Sequence, residues 1–185
     1  MRNKPLILLD RDGTLIVERG YLSKPAGVKL LPGTISGLKK LKSAGFRVVV
    51  VSNQSGVGRG LITLRQIKDV SDRFLHLLQL KKIILDGVYW CPHRPEALCS
   101  CRKPKLGMVK RAAKKLRVSW KGSISVGDRP SDVQLGQKTG GRGVLVLTGY
   151  GKRWPKNSFK VDYVAKDFLR AVDWILKTTR SDHGN

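Results

Sequence analysis

Cysteine is scarce in this 185-residue chain: there are three, all between Cys91 and Cys101. Three clustered thiols cannot build the disulfide framework that small secreted domains use in place of a large core. Long apolar runs are missing too. The longest, such as Leu6 to Leu9 and Val48 to Val51, have four residues, against ~20 for a bilayer-spanning helix. The stretch near the N-terminus is also shorter than the roughly 7–15 apolar residues of a secretory signal. These absences exclude a disulfide scaffold, a membrane-inserted helix and a secretory leader, and the expected location is the cytoplasm.

Acidic residues are outnumbered, 13 against 37 Lys and Arg, for a formal charge of +24. Such an excess favours anionic partners: phosphorylated metabolites, nucleic acid or an anionic surface. It is dispersed. Arg102 to Arg117 holds eight basic residues and no acid, and the last 36 residues hold eight basic and four acidic. Aromatics make up only 6% of the chain and are not interleaved with basic residues, so a base-stacking surface is not expected. Nucleic acid is left as a weak electrostatic contact.

What is present is a 41% apolar composition suited to a packed core. No linker, repeat or low-complexity tract divides residues 1–185, so a single domain is expected, most simply a monomer. Leu6–Leu9, Arg47–Val51, Val88–Trp90, Ile124–Val126 and Val144–Leu147 read as five buried parallel strands. Helical periodicity separates them: Thr34–Ala44, a helix opened by the Thr63-Leu64-Arg65-Gln66 capping box, Leu106–Leu116, one from Pro130 and a last one near Asp167. Residues 149–160 read as an irregular excursion and 179–185 as a frayed tail. The alternation predicts a doubly wound, mainly parallel α/β sheet. Short connections leave no room for a large cap domain. In such sheets ligands bind outside the carboxyl ends of the strands.

After the first strand comes Asp10-Arg11-Asp12-Gly13-Thr14. Carboxylates two apart on extended chain point to one side. They suit Mg²⁺, which takes oxygen ligands and binds phosphate oxygens, or a nucleophile and a proton-transfer group. An acidic turn closing a strand is the plainer alternative. After the second strand, Ser52-Asn53-Gln54-Ser55-Gly56-Val57-Gly58-Arg59-Gly60 offers a hydroxyl, amides and a guanidinium for anion binding. After the fourth, Gly127-Asp128-Arg129-Pro130-Ser131-Asp132 adds two more carboxylates. Cys91-Pro92-His93 and Cys99-Ser100-Cys101 form a Cys₃His set within residues 91–101. Three thiolates and an imidazole close a zinc tetrahedron, leaving no open position, so such a site is structural.

DRDGT, SNQ, the lysine of CRKP and GDRPSD stand in the order and spacing of the four motifs of the haloacid dehalogenase superfamily of phosphatases, which the chain resembles from about Leu6 to Gly151. The resemblance implies that Asp10 is the nucleophile and Asp12 the general acid and base. It further implies that Ser52 and Asn53 lie on the phosphoryl group, that Gln54 is a further substrate-binding residue and that Lys103 offsets the phosphoryl charge. Mg²⁺ would be held by Asp10, Asp128 and the backbone carbonyl of Asp12, with Asp132 and Arg129 in support. The zinc loop narrows the resemblance to two branches, the heptose bisphosphate phosphatases and the histidinol-phosphate phosphatases. SNQSGVGRG and Gly20-Tyr21 resemble the former, and Arg129 after the motif aspartate resembles the latter. The first branch implies a small phosphorylated sugar as substrate, release of the 7-phosphate of a heptose 1,7-bisphosphate, and Arg59 and Arg102 on the distal part of the substrate. A histidinol-phosphate phosphatase, a polynucleotide 3′-phosphatase and a binding protein on an inactive fold are the rival readings. His76 is expected to be an ordinary helix residue, and Trp90, Trp120, Trp154 and Trp174 are assigned no chemistry.

Overall fold

The computed structural model describes residues 4–154 and 160–181. Six strands, β1 (Ile7–Leu9), β2 (Val48–Asn53), β3 (Gly87–Cys91), β4 (Ile124–Gly127), β5 (Arg142–Val146) and β6 (Tyr163–Ala165), form one sheet in the order β3-β2-β1-β4-β5-β6. Every pairing is parallel. The helices are α1 (Thr34–Ser43), α2 (Ser55–Gly58), α3 (Leu64–Gln79), α4 (Gly107–Leu116), α5 (Pro130–Lys138) and α6 (Phe168–Ser181).

Strand parity divides the core into two layers. Successive strand residues face opposite sides, so Ile7, Leu9, Val48, Val50, Ile124, Val126, Val144 and Val146 share a cluster with residues of α1, α3 and α6. Leu6, Leu8, Val49 and Val51 face the other way, onto Met108, Val109 and Ala112 of α4 and Leu135 of α5. α3 begins as the capping box requires, with the Thr63 hydroxyl accepting from the Gln66 N–H and the Gln66 side chain accepting from the Thr63 N–H. α5 lies close on the sheet because Gly136 and Gly143 lack side chains. A Cβ at Gly143 would fall 2.2 Å from the Val133 carbonyl oxygen.

Two expectations need correction. The sheet has six strands among the described residues, the last being a short edge strand after the stretch 149–160 read as an excursion, of which residues 155–159 lie outside the described residues. α6 continues to Ser181, so the stretch read as tail from residue 179 begins inside a helix; residues 182–185, with His183, lie outside the described residues. The order of strands reverses between β1 and β4, which is where a doubly wound sheet opens a crevice at its carboxyl edge. Asp10 and Asp128 are the residues that leave those two strands.

Candidate active site

Asp10 follows β1 directly, its backbone N–H donating to the Val126 carbonyl of β4 at 2.9 Å. The chain then tightens: the N–H groups of Leu15 and Ile16 both donate to the Arg11 carbonyl, and Gly13 takes φ +78°. Gly13 is needed for a second reason, since a Cβ there would lie 2.1 Å from Asp128 Oδ2. Asp10 and Asp12 both line the same cavity, as spacing by two anticipates. Their carboxylates do different things. Asp12 is held by the buried Arg11, whose Nε and Nη2 donate to it at 3.0 and 3.1 Å, and by Gln54 Nε2 at 2.7 Å. The Asp10 carboxylate instead belongs to a group with Asp128 and Asp132, whose ligand atoms lie within 4.8 Å of one another.

Lys103 supplies the cation for that group. It is 4% exposed, and its Nζ lies 2.5 Å from Asp10 Oδ1, 2.7 Å from Asp132 Oδ1 and 2.6 Å from the Val51 carbonyl. Asn53 fixes the lysine's backbone in both directions, donating to the Lys103 carbonyl at 3.2 Å and accepting from its N–H at 2.9 Å. Gln54 also donates to Ser52 Oγ at 2.7 Å. Asp132 Oδ1 meets Lys103 as an ion pair without a hydrogen bond, and its second oxygen accepts from the Arg129 N–H at 3.1 Å, so it positions Lys103 and the turn into α5. Asp128 is different: Oδ2 accepts from the Tyr150 N–H at 2.7 Å, while Oδ1 is buried with no partner.

Asp10 and Asp132 share Lys103 and Asp128 lies beside them, so the cluster carries surplus negative charge. Burial raises the Asp10 carboxyl well above its ordinary range, Lys103 only partly opposing this while Asp132, Asp128 and Asp12 add to it. Asp128 is pushed up to about 7, chiefly by burial. Lys103 is driven down by burial but further up by Asp10 and Asp132, so it stays charged. The orphaned Asp128 oxygen and the all-oxygen donor set suit a hard divalent cation, and Mg²⁺ fits this corner. Because a proton on Asp128 competes with the metal, Mg²⁺ affinity should rise with pH and level off above about 7. The Mg²⁺ concentration giving half-maximal activity should fall by about tenfold per pH unit below that point. A flat profile between pH 5.5 and 8 would contradict the assignment.

The four cysteine and histidine side chains converge as well. Their ligand atoms lie within 4.8 Å of one another. Cys101 Sγ stands 3.1 Å from Cys91 Sγ, 3.5 Å from Cys99 Sγ and 3.2 Å from His93 Nδ1. Sulfurs at zinc distances of ~2.3 Å sit about 3.8 Å apart along a tetrahedron edge, so the set fits zinc after slight expansion. Burial pushes the Cys91 thiol up to about 12. At Cys99 burial is outweighed by hydrogen bonds from the Arg102 backbone and the neighbouring thiols, which bring it down to about 6. The loop carrying these ligands contacts two arginines of the rim. Arg102 Nη1 donates to the His93 carbonyl at 3.3 Å, and Arg59 lies 3.8 Å from Glu96. α2 is stitched to the same loop by the Gly58 N–H and the Pro92 carbonyl at 2.8 Å. Removing zinc with Mg²⁺ in excess should therefore raise KM and lower Tm by roughly 5–10 °C, at about 2–4 °C per kcal/mol for a domain of this size. An unchanged melting temperature would count against a structural metal.

These parts surround a cavity of about 540 Å³. Asp10, Asp12, Ser52, Asn53, Gln54, Arg59, Arg102, Lys103 and Arg129 all line it, as do Glu18, Tyr21, Tyr150 and Trp154. Sequence reasoning assigned nothing to Glu18, Tyr150 or Trp154. Trp154 donates its indole N–H to the Asp128 carbonyl at 3.2 Å, and Glu18 lies 4.0 Å from Arg129. The only local signal was an aromatic pair in a short basic segment directly after a strand end.

A HAD-hydrolase-like family model matches residues 100–171. The D-glycero-beta-D-manno-heptose-1,7-bisphosphate 7-phosphatase of Escherichia coli K12 is 34% identical over 96% of this chain and 91% of its own length. The D-glycero-D-manno-heptose-1,7-bisphosphate 7-phosphatase of Thermosynechococcus vestitus is also 34% identical, over 93% and 95%. The crystal structure of D,D-heptose 1,7-bisphosphate phosphatase from B. bronchiseptica, complexed with magnesium and phosphate, superposes with a TM-score of 0.82 at 30% identity, covering 95% of this chain and 99% of that one. With nearly full-length identity on both sides, the chain belongs to the D-glycero-D-manno-heptose-1,7-bisphosphate 7-phosphatase family of haloacid dehalogenase-like hydrolases.

Proposed function

We propose that the protein is a Mg²⁺-dependent phosphatase that removes the 7-phosphate of D-glycero-D-manno-heptose 1,7-bisphosphate, a step in making nucleotide-activated heptose for surface polysaccharide. The observation that carries this reading is the buried Asp10–Lys103–Asp132 ion cluster at the floor of a cavity whose rim holds Arg59, Arg102 and Arg129. Asp10 attacks phosphorus, its carboxylate forming an acyl phosphate as the bond to the sugar oxygen breaks. Asp12 gives that oxygen its proton. Asp12 then takes a proton from water as the water attacks the acyl phosphate, releasing inorganic phosphate and restoring Asp10. Mg²⁺, held by Asp10, Asp128 and the Asp12 carbonyl, would neutralise charge on the phosphoryl oxygens. Arg11 and Gln54 fix the Asp12 carboxylate, and Ser52, Asn53 and Lys103 align and neutralise the group in transfer.

The rim supports a second anionic group on the substrate. A histidinol ester would bring a cationic amine against Arg59, Arg102 and Arg129, which disfavours that alternative. One copy of the chain contains every residue of the site, which suits a monomer. The zinc thiolates and a soluble sugar phosphate substrate suit the cytoplasm, and no helix among the described residues is long and apolar enough to cross a membrane. The test is phosphate release from heptose 1,7-bisphosphate, histidinol phosphate and a 3′-phosphorylated oligonucleotide under identical Mg²⁺. The bisphosphate should lead in kcat/KM by about 10- to 100-fold, roughly what one hydrogen bond to a charged group contributes. A lead by either other ester would overturn the assignment.

A further inference from the structure

The rim of the cavity carries a device that lies apart from the catalytic floor. Arg129 sits at the start of α5 with its side chain nearly half exposed, and its guanidinium carbon lies 4.0 Å from the centre of the Tyr150 ring. Arg153 lies 4.8 Å from the same ring. The anion nearest to Arg129 is Glu18, at 4.0 Å. Burial pushes that carboxyl upward, with Asp12 adding to the shift. Two guanidiniums thus share one aromatic ring, with Glu18 beside Arg129.

An exposed arginine ordinarily samples many rotamers, and holding it in one place costs side-chain entropy. Stacking on an aromatic face removes part of that cost, because ring and guanidinium attract and the planar fork keeps its edge free for an oxyanion. Tyr150 is itself fixed at its backbone, where its N–H donates to Asp128 Oδ2. The ring therefore transmits the position of the catalytic floor to a cation on the rim. Among the described residues, Arg102 donates to the His93 carbonyl and Arg59 meets the exposed Glu96 at 3.8 Å, whereas the Arg129 guanidinium meets the Tyr150 ring and Glu18 at 4.0 Å.

We infer that Tyr150 is a positioning residue: its ring holds the Arg129 guanidinium at the mouth of the cavity, pre-oriented for an anionic group of the substrate remote from the phosphoryl group in transfer. The inference rests on the proposed bisphosphate substrate for the identity of that group. The arrangement itself is independent of it, since any ester with a second anionic group would meet the same cation.

The experiment is a double-mutant cycle on the full-length, zinc- and Mg²⁺-loaded protein. Tyr150→Leu keeps the backbone N–H to Asp128 and removes the ring; Tyr150→Phe keeps the ring. With heptose 1,7-bisphosphate, Tyr150→Leu should raise KM by about two- to fivefold, the worth of one exposed cation–π contact, with kcat retained. Tyr150→Phe should restore KM. With p-nitrophenyl phosphate, which has no second anionic group, the KM ratio of Tyr150→Leu to Tyr150→Phe should be near one, and each Arg129→Ala variant is read against the Arg129→Ala baseline on the same substrate. In an Arg129→Ala background the Tyr150→Leu effect should vanish, because the ring then has no guanidinium to hold. An equal KM rise on both substrates, a Phe variant as impaired as Leu, or an effect that persists without Arg129 would overturn the inference. If the parent hydrolyses p-nitrophenyl phosphate and fails on the heptose bisphosphate, the substrate assignment fails instead. The cycle is then read on whichever sugar bisphosphate the parent accepts, and the same outcomes decide it.

Discussion

Asp10→Asn should abolish phosphate release, lowering kcat by at least about 10⁴-fold, because the amide cannot form the acyl phosphate and nothing else in the cavity can replace it as nucleophile. The same substitution should stabilise the metal-free fold. Asp12 has its own partner in Arg11, which leaves Asp10 and Asp132 sharing Lys103, with Asp128 close beside them. Neutralising one of the three removes like-charge repulsion while Lys103 keeps Asp132 and the Val51 carbonyl. Without divalent cation Tm should rise by a few degrees, each kcal/mol moving it by about 2–4 °C. The pH dependence carries the sign. A carboxyl whose folded pKa is raised contributes stability below its unfolded value near 3.8, and that contribution is lost as pH rises through the folded pKa. The gain from Asp10→Asn should therefore grow from acid toward neutral pH. Thermal melts at pH 4 and pH 8 in chelator measure it, and a destabilised variant at pH 8 would contradict the charge balance described.

Lys103→Met should fail in the opposite way. It removes the one buried cation of the cluster, leaving the buried Asp10 and Asp132 without their counter-charge. Breaking a buried pair from one side costs about 3–5 kcal/mol, so Tm in chelator should fall by roughly 6–20 °C at about 2–4 °C per kcal/mol. Activity should drop by about 10²–10³-fold, the usual consequence of deleting one charge stabiliser of a transition state. Mg²⁺ should recover part of the lost stability, since it binds the folded form and supplies the missing positive charge. Two substitutions at contacting atoms thus shift stability in opposite directions while both silence the enzyme. Tm and kcat measured on the same preparations check this, and equal destabilisation by both would show that packing, not charge, dominates the cluster.

How much of this was legible in the sequence depends on whether one interval or many decide the outcome. The central strands were, because runs such as Val48 to Val51 are buried on both faces and need no alternation. The sixth strand was not: Tyr163-Val164-Ala165 is three residues long at the sheet edge, with Val164 39% exposed, too short for a periodicity to show. The convergence of Cys91, His93, Cys99 and Cys101 was legible because one loop carries all four. Asp10, Lys103 and Asp128 were recognisable from motif order, yet which carboxylate joins which neighbour depends on rotamers. Arg11 draws the Asp12 carboxylate aside, and Asp132 takes its place beside Asp10 and Asp128. Tyr150 carries no sequence signal for the site, and Trp154 is a residue to which the sequence assigns no chemistry. Their place over Asp128 follows from how the chain turns after β5, and no residue spacing encodes that turn.

The central claim is that this site cleaves one particular ester of a sugar carrying two. The most direct measurement is ³¹P NMR of heptose 1,7-bisphosphate turned over with Mg²⁺. The account predicts loss of the 7-phosphate resonance, growth of inorganic phosphate and full retention of the anomeric phosphate, all absent with Asp10→Asn. Loss of the anomeric phosphate first, or an unchanged spectrum with active parent protein, would contradict it.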